Sequence, residues 1–497
     1  MKKRRRTRRI KPGTYVLFFL LFAAAVAISH APYFDLPFFW DEVGQFIPAS
    51  LDLYKSGALI PRSATPNAHP PGVMAYLAGV WMVTGFSIVS TRAAMLLTAS
   101  LSVLAVFLLA IKLCGNIKGV PAFTAAALLI CSPIFYSQAM LAQLDMPAML
   151  FTVLATLLFL EDQILLCAVA CAALALVKET GVIAPLLFCA WLAAERRWLQ
   201  AGYFLLPFGV LGGWFLFLRL QTGHLFGNPG FTAYNLAYLA HPVRMGVALT
   251  RRLYHLFWEN LHFIGTAGIA AAWMRGGIFE GRGWRVAWTL VALHVALFSV
   301  IGGAMLERYL LPVLPIVYIG MVAGFSAMPS PWRSVAPAAL IAGLAACNFW
   351  NPPYPFPLEN NLAFTEFVRL HEIAAGYLEQ NYGRAEIGTA WPLSAELSRP
   401  EFGYVKTSHR VREIPDFSEA AVARLYKHAP VDVFVLYSRQ WDPPGNLLRH
   451  LILEKFWGRF FSYAPQISSF DLDTQYGLKT IAGWSRGGQW IEVHARF

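Results

Sequence analysis

Charged residues are scarce in this chain, and their scarcity limits the class of protein it can be. Of 497 residues only 14% are Asp, Glu, Lys or Arg, whereas 57% are hydrophobic. The mean hydropathy is +0.50. A soluble protein of this length has too little interior to bury so much apolar surface, so lipid must solvate part of it. The composition therefore excludes a soluble globular enzyme and predicts an integral membrane protein.

Cysteines, phosphate-binding glycine loops and internal repeats are also few or missing. The six cysteines lie in or beside apolar runs, where packing roles are more common than disulfides or metal ligands. The sequence contains no glycine-rich phosphate loop, so nothing in it supports nucleotide binding. No internal repeat is apparent, which disfavours repeat-built secondary transporters. A transporter would also need polar groups near the bilayer midplane, where these apolar runs are nearly free of charge.

The positive charge is concentrated at the N-terminus. The net charge is +12, and much of the excess lies in residues 2–11, directly before an apolar run. Such a block is typical of a cytoplasmic N-terminus, with a cleaved signal peptide as the alternative. Because further apolar runs follow, we favour an uncleaved anchor in a multi-pass protein of the plasma (inner) membrane. We attribute the charge to membrane topology and expect no nucleic-acid partner.

About eleven apolar runs are long enough to cross a hydrocarbon core of about 30 Å. The predicted spans are residues 14–30, 92–112, 119–135, 146–160, 164–177, 181–194, 200–218, 256–274, 286–303, 309–327 and 334–350. With this set the basic connections lie on the side of the N-terminus, as the positive-inside rule requires. Residues 73–89 are also apolar, but as a span they would reverse every later helix, so we expect a juxtamembrane helix there. Two spans instead of three in residues 146–194 would invert everything that follows.

An odd number of spans places the C-terminus outside the cytoplasm. The proline-rich residues 351–358 then form a stiff linker at a domain boundary. Residues 359–497 alternate amphipathic helix patterns with strand-like runs, which predicts a soluble extracytoplasmic α/β domain. Helices are expected over 364–379 and 420–426, and strands over 386–388, 431–437, 481–484 and 490–493. The expected fold is an α-helical polytopic membrane domain, residues 1–350, followed by this α/β domain.

Several ionisable residues lie at the outer ends of the predicted spans. Charges beside a bilayer are costly, so each needs a partner or a function, and residues on one membrane face can share one site. These residues are Asp41, Glu42, His69, Arg92, Asp145, Lys178, Glu179, Arg219, Glu307 and Arg308. Structural roles are the alternative. Asp145 is suited to an N-terminal helix cap, and Arg308 to an interfacial anchor or a salt bridge with Glu307.

Four motifs, in order along the chain, resemble the GT-C membrane glycosyltransferases. They are Phe39-Trp40-Asp41-Glu42, His69-Pro70-Pro71-Gly72, Leu144-Asp145-Met146-Pro147 and Arg308-Tyr309-Leu310-Leu311-Pro312. The protein O-mannosyltransferases and bacterial aminoarabinose transferases are the most similar groups, and the likeness covers roughly residues 14–325. It implies transfer of a hexose or pentose from a polyprenyl-phosphate carrier to a lipid, glycan or protein hydroxyl at the outer face. His69 stands where the aminoarabinose transferases carry a lysine.

The resemblance also implies roles for individual residues. Displacing a polyprenyl phosphate needs a base for the incoming hydroxyl and positive charge for the leaving phosphate. Asp41 is the expected base of a single, inverting displacement. Glu42 and Asp145 are further catalytic candidates, and a Glu42 side chain that faces away from the site is the alternative. The candidates for binding the phosphate of the carrier are Arg308, Lys178, His69 and Arg92.

Other assignments remain open at this point. His69 and Asp145 offer imidazole and carboxylate donors that suit a divalent metal such as Mn²⁺, Mg²⁺ or Zn²⁺. A lipid-linked glycan polymerase or ligase, with a diphosphate-linked donor, is a second possible function, because residues 221–255 are rich in basic side chains. These are His224, His241, Arg244, Arg251, Arg252 and His255. A receptor-like role for the outer domain is a third.

Overall fold

The computed structural model describes residues 12–351, 353–354, 356, 358–439 and 455–496. Within these ranges the first part of the chain is helical. Its α-helices are α1 Pro12–His30, α2 Ile47–Ser56, α3 Gly72–Thr84, α4 Ile88–Leu113, α5 Pro121–Cys131, α6 Pro133–Gln138, α7 Asp145–Leu160, α8 Ile164–Val177, α9 Ile183–Ala194, α10 Trp198–Gly202, α11 Leu205–Thr222, α12 Pro229–Thr232, α13 Pro242–Phe257, α14 His262–Arg275, α15 Arg282–Val300, α16 Leu314–Phe325 and α17 Trp332–Cys347.

Every predicted span contains a helix, although the helices are often shorter than the apolar run. Four stretches of the described chain are long and apolar enough to cross a membrane: Gly13–Tyr33, Ile88–Leu113, Trp198–Thr222 and Arg282–Val300. The other apolar helices have 10–17 residues, so the number of eleven spans stays a prediction. The run 119–135 shows one reason for the difference. Its helix α5 ends before Ser132, whose backbone is extended because Pro133 follows it.

The helical part is held together by close packing around α4 and α16. α4 packs against α1, α5 and α7, while α16 packs against α14. At the α14–α16 crossing the backbones nearly touch, since a Cβ added to Gly324 would lie 2.4 Å from the Gly268 carbonyl carbon. Small residues permit such an approach between apolar helices. The six cysteines, all among the described residues, are free.

The C-terminal part is an α/β domain, as predicted. Within the described residues its strands form one five-stranded sheet in the order β2-β1-β3-β5-β4. β1 is parallel to β2 and β3, whereas β5 is antiparallel to β3 and β4. The strands are β1 Glu386–Ala390, β2 Arg410–Ile414, β3 Val433–Tyr437, β4 Lys479–Arg486 and β5 Gln489–Ala495, and the helices are α18 Ala363–Asn381, α19 Leu393–Ser398, α20 Glu419–His428, α21 Gly458–Phe461 and α22 Ser469–Tyr476.

The two parts of the chain are in direct contact. Phe38, in the loop after α1, accepts a hydrogen bond from the hydroxyl of Tyr404 at 3.0 Å. Its own backbone N–H donates to the carbonyl of Phe402 at 3.1 Å. The ring of Trp40 lies edge-on to that of Trp391, with centroids 4.9 Å apart. The α/β domain therefore rests on the loop that carries Asp41.

Candidate active site

A cavity of about 550 Å³ opens where the loop after α1 meets the segment before α16 and the start of the α/β domain. Its wall combines both signs of charge with several aromatic faces. The ionisable residues on the wall are Asp41, His69, Arg251, Glu307, Arg308, Tyr309, Tyr234 and Glu359. Three of the predicted site residues, Asp41, His69 and Arg308, therefore meet at one cavity although they are far apart in sequence.

Arg308 is the centre of the charged network beside this cavity. Its side chain is only 4% exposed, and its Nη2 is paired with Asp41. Nη1 lies 2.9 Å from Oε2 of Glu359 and also donates to the side chain of Gln143. Nε lies 3.2 Å from Oδ2 of Asp145. The planar guanidinium suits this position because its donors can face several oxygens at once.

Asp145 connects Arg308 to a second cation, Lys178. Nζ of Lys178 lies 2.5 Å from Oδ1 of Asp145, and both side chains are almost fully buried. Asp145 is the first residue of α7, but no side-chain cap is formed there. Its two oxygens face the two cations instead. Lys178 also stacks on Tyr309, 4.3 Å from the ring centroid, and it lies behind the cavity wall.

The backbone separates the two neighbouring carboxylates of the first motif. Trp40 has a φ of +46°, in the left-handed region that residues other than glycine rarely adopt, and a π-helical turn begins at Glu42. Strained backbone and π-helical turns are often found at functional sites. The consequence is that Asp41 is one-third exposed beside the cavity while Glu42 is fully buried.

Glu42 and Arg92 form a buried ion pair outside the cavity. Oε1 of Glu42 lies 2.5 Å from Nη1 of Arg92 and accepts from the backbone N–H of Ala142 at 2.6 Å. Oε2 accepts from the N–H of Phe39 at 2.9 Å. Arg92 donates as well to backbone carbonyls, those of Leu36, Pro37 and Met140. The pair fastens α4 to the two loops that carry Asp41 and Asp145.

His69 stands on the cavity wall with one ring nitrogen occupied. Nδ1 lies 2.9 Å from Oε2 of Glu179, and among the described residues Nε2 has no hydrogen-bond partner. The glycine of the His-Pro-Pro-Gly motif is needed for a close approach, since a Cβ on Gly72 would lie 2.5 Å from the carbonyl oxygen of Leu176 at the end of α8. This contact brings the loop that carries His69 towards Glu179.

His69 and Asp145 do not fit a metal site. Both oxygens of Asp145 face cations, and these would repel a divalent ion. In the described part of the chain, one group of His, Cys, Asp or Glu could hold a metal: His255, Glu259 and Glu307, with ligand atoms within 4.8 Å of one another. Burial raises the pKa of Glu307 to about 7 and lowers that of His255 to about 4, so it favours the uncharged form of both side chains.

Sequence reasoning missed Glu359 and Gln143 as members of the site. Burial raises the pKa of Glu359 to about 7, although Arg308 opposes this shift. The backbone carbonyl of Glu359 accepts from Ser137 at 2.8 Å, which fixes the segment beside α6. The sequence did contain a signal, because Glu359 is a carboxylate placed shortly after the last predicted span on its outer side.

Of the basic residues in the stretch 221–255, one lines the cavity among the described residues, Arg251. Arg252 is buried and donates to the carbonyl of Phe298 at 2.9 Å. Arg244 donates to the carbonyls of Tyr238 and Phe460. Arg219 is exposed and, within the residues described, forms no ion pair. The structure therefore leaves Arg219 out of the cluster that the sequence predicts.

Comparison with known proteins agrees with this architecture. Residues 68–220 match the family described as dolichyl-phosphate-mannose-protein mannosyltransferase. No curated protein sequence matches the chain. Among solved structures, ArnT from Cupriavidus metallidurans bound to undecaprenyl phosphate is similar, with a TM-score of 0.52 and 14% identity. The alignment covers 97% of this chain and 98% of that one.

A second similar structure is the archaeal oligosaccharyltransferase AglB from Archaeoglobus fulgidus, in complex with an inhibitory peptide and a dolichol-phosphate. Its TM-score is 0.50 at 12% identity, with 85% of this chain and 69% of that chain covered. At these identities the likeness concerns the fold. The resemblance to GT-C membrane glycosyltransferases indicated by the four motifs is therefore confirmed, by the fold of nearly the whole chain and by the family match over residues 68–220.

Proposed function

We propose that this protein is an extracytoplasmic glycosyltransferase that moves a sugar from a polyprenyl-phosphate carrier to an acceptor hydroxyl with inversion. The observation that carries the proposal is the contact of Asp41 with the buried Arg308 at the wall of one cavity. A carboxylate and a guanidinium are the two groups that this displacement needs. ArnT, which has a similar fold, was solved bound to undecaprenyl phosphate, a ligand of the class proposed here.

In the proposed reaction Asp41 takes the proton of the acceptor hydroxyl. The acceptor oxygen then bonds to the anomeric carbon of the sugar, on the face opposite the phosphate. The bond between that carbon and the phosphate oxygen breaks, and both electrons leave with the polyprenyl phosphate. Arg308 stabilises the charge that develops on the phosphate. His69 would add a second hydrogen bond from Nε2 in its imidazolium form, in which Nδ1 donates to Glu179 and Nε2 also carries a proton.

The ion pair of Asp41 with Arg308 represents the site before the carrier binds. Arg308 has three carboxylate partners, so an incoming phosphate must displace one of them. Asp41 is the most exposed partner, at 33%, against 11% for Glu359 and 3% for Asp145. It therefore loses least on being released into the cavity. Displacement leaves the Asp41 carboxylate unpaired and ready to accept a proton.

The remaining candidates act on the position of these groups. Asp145 and Lys178 hold the guanidinium from behind, out of reach of the cavity. Glu42 and Arg92 set the two loops relative to α4. We assign all four to positioning rather than to contact with the sugar or its phosphate.

The alternative function, a glycan polymerase or ligase with a diphosphate-linked donor, is supported by Arg251 alone. The other basic residues of 221–255 are not among the described residues that line the cavity. Arg251 lies 4.0 Å from Glu307 and is thereby partly neutralised. A second phosphate would need more positive charge than this wall offers. The cavity consequently favours a monophosphate carrier.

The test measures release of polyprenyl phosphate from a pool of polyprenyl-phosphate sugars, a readout common to any sugar and any acceptor. Asp41→Asn should slow release by roughly 10² or more, as loss of a positioned general base does. Asp35→Asn is the matched control, because Asp35 lies in the same loop, is exposed and pairs with no described residue. It should release at the wild-type rate. Equal rates for Asp41→Asn and wild type would refute the proposal.

A further inference from the structure

A second, larger cavity lies at the ends of helices α4, α7 and α15 that are farther from the cavity of Asp41 and Arg308, here called the catalytic cavity on the basis of the proposed function. Its volume is about 1060 Å³. It contains the C-terminal ends of α4 and α7 and the N-terminal end of α15, whereas Arg92, Asp145 and the segment after α15 belong to the other end. At 1.5 Å per residue, the 26 residues of α4 span about 39 Å. The two cavities are therefore separate sites.

The wall of this second cavity carries positive charge without negative charge. Four basic residues line it, and no Asp or Glu is among the described lining residues. Lys112 is paired with Glu161 at 2.8 Å and Arg282 with Glu195 at 2.8 Å, from outside the cavity. Among the described residues, the side chains of the other two, Lys118 and Arg333, have no ion-pair partner. Both are exposed.

The same cavity also has apolar walls that continue to the protein surface. Leu160 and Phe325 line its interior, and Val120 lies at its edge with 66% of its surface exposed. Trp332, next to Arg333, is 58% exposed. Exposed tryptophan beside basic residues is typical of the membrane interface. The ligand that fits is one with an anionic head and an apolar tail.

We propose that this cavity binds the headgroup of an anionic phospholipid from the leaflet at that end of the membrane domain. Basic cavities between helices on one membrane face commonly recognise phospholipid headgroups. A zwitterionic lipid is a poorer match, because its ammonium group would find no carboxylate on the wall. Lys118 and Arg333 supply the charge for the phosphodiester, and the exposed apolar edge lets the acyl chains remain in the bilayer.

The experiment uses the full-length protein in detergent, exchanged into an equimolar mixture of phosphatidylglycerol and phosphatidylethanolamine, with retained lipids identified by native mass spectrometry. The wild type should retain phosphatidylglycerol several-fold in excess. Lys118→Gln with Arg333→Gln should remove most of that excess, so that the two lipids are retained in nearly equal amounts, because the two basic residues supply the attraction for the anionic headgroup. Arg285→Gln is the matched control. Arg285 is exposed on α15 near the same end, but it does not line the cavity.

A measurement on the wild type alone keeps the proposal open to refutation if the double variant does not fold. Raising the salt concentration should lower retention of phosphatidylglycerol, because salt screens exposed charges. Equal retention of both lipids by the wild type would overturn the proposal. So would full displacement of phosphatidylglycerol by millimolar inorganic phosphate, which would identify a free anion as the ligand. Release of polyprenyl phosphate in detergent should not change in the double variant, since neither residue belongs to the catalytic cavity.

Discussion

Asp41, Asp145 and Glu359 surround a single guanidinium, that of Arg308, beside the 550 Å³ cavity. Lys178 forms an ion pair with Asp145, so the cluster contains three carboxylates and two cations. Such a cluster is most stable when one acid is neutral. The raised pKa of Glu359, about 7, identifies the acid that takes up the proton.

This protonation predicts a pH dependence of carrier binding. Below about pH 7 Glu359 is neutral and Arg308 is more available to a phosphate; above it the Glu359 carboxylate competes for the same guanidinium. The affinity of the wild type for polyprenyl phosphate should therefore fall between pH 6 and pH 8, by up to about tenfold. Glu359→Gln should remove this decrease.

Because the phosphate of the probe titrates itself, the informative quantity is the difference between wild type and Glu359→Gln measured on the same lipid. Microscale thermophoresis at a series of pH values is suitable. If both proteins show the same pH profile, Glu359 does not control access to Arg308.

At the scale of single residues, the sequence predicted those residues of the candidate site that stand in motifs. Asp41, His69 and Arg308 were predicted because each is a charge beside an apolar run. Glu359 was not, because it follows a proline-rich stretch that predicts a linker. The different environments of Asp41 and Glu42 could be suggested from the sequence but not explained by it, since they depend on the left-handed backbone at Trp40.

Among the elements, the Glu42–Arg92 pair joins α4 to two loops, and its loss should destabilise the packing of these loops against α4. Glu42→Gln leaves Arg92 buried without its counter-charge, which typically costs about 3–5 kcal/mol. The thermal midpoint of the purified protein should fall by several degrees. Asp41→Asn should change it much less, since Asp41 is partly exposed. A Glu42→Gln protein as stable as the wild type would contradict the positioning role.

The elements themselves were largely predictable. Helix α18 and strands β1, β3, β4 and β5 lie where the sequence patterns placed them. Strand β2, Arg410–Ile414, was missed because it is an edge strand with three charged residues in five, and such strands lack the apolar signal of a central strand. Prolines inside apolar runs likewise shorten helices in ways that hydropathy alone does not register.

For the whole molecule, the charge distribution predicts the orientation in the membrane. A reporter active only outside the cytoplasm should be active when fused after Phe497 and inactive when fused within residues 276–284. Alkaline phosphatase fusions assayed in intact cells provide the measurement. Activity of the second fusion and silence of the first would place the cavity of Asp41 and Arg308 on the cytoplasmic face and contradict the proposed extracytoplasmic acceptor.

The most direct test of the central claim is a structure determined by electron cryomicroscopy with polyprenyl phosphate bound. We predict the phosphate in the 550 Å³ cavity, with an oxygen within about 3 Å of the Arg308 guanidinium and the Asp41 carboxylate turned away from it. A phosphate bound elsewhere, with the pair of Asp41 and Arg308 still intact, would contradict the account.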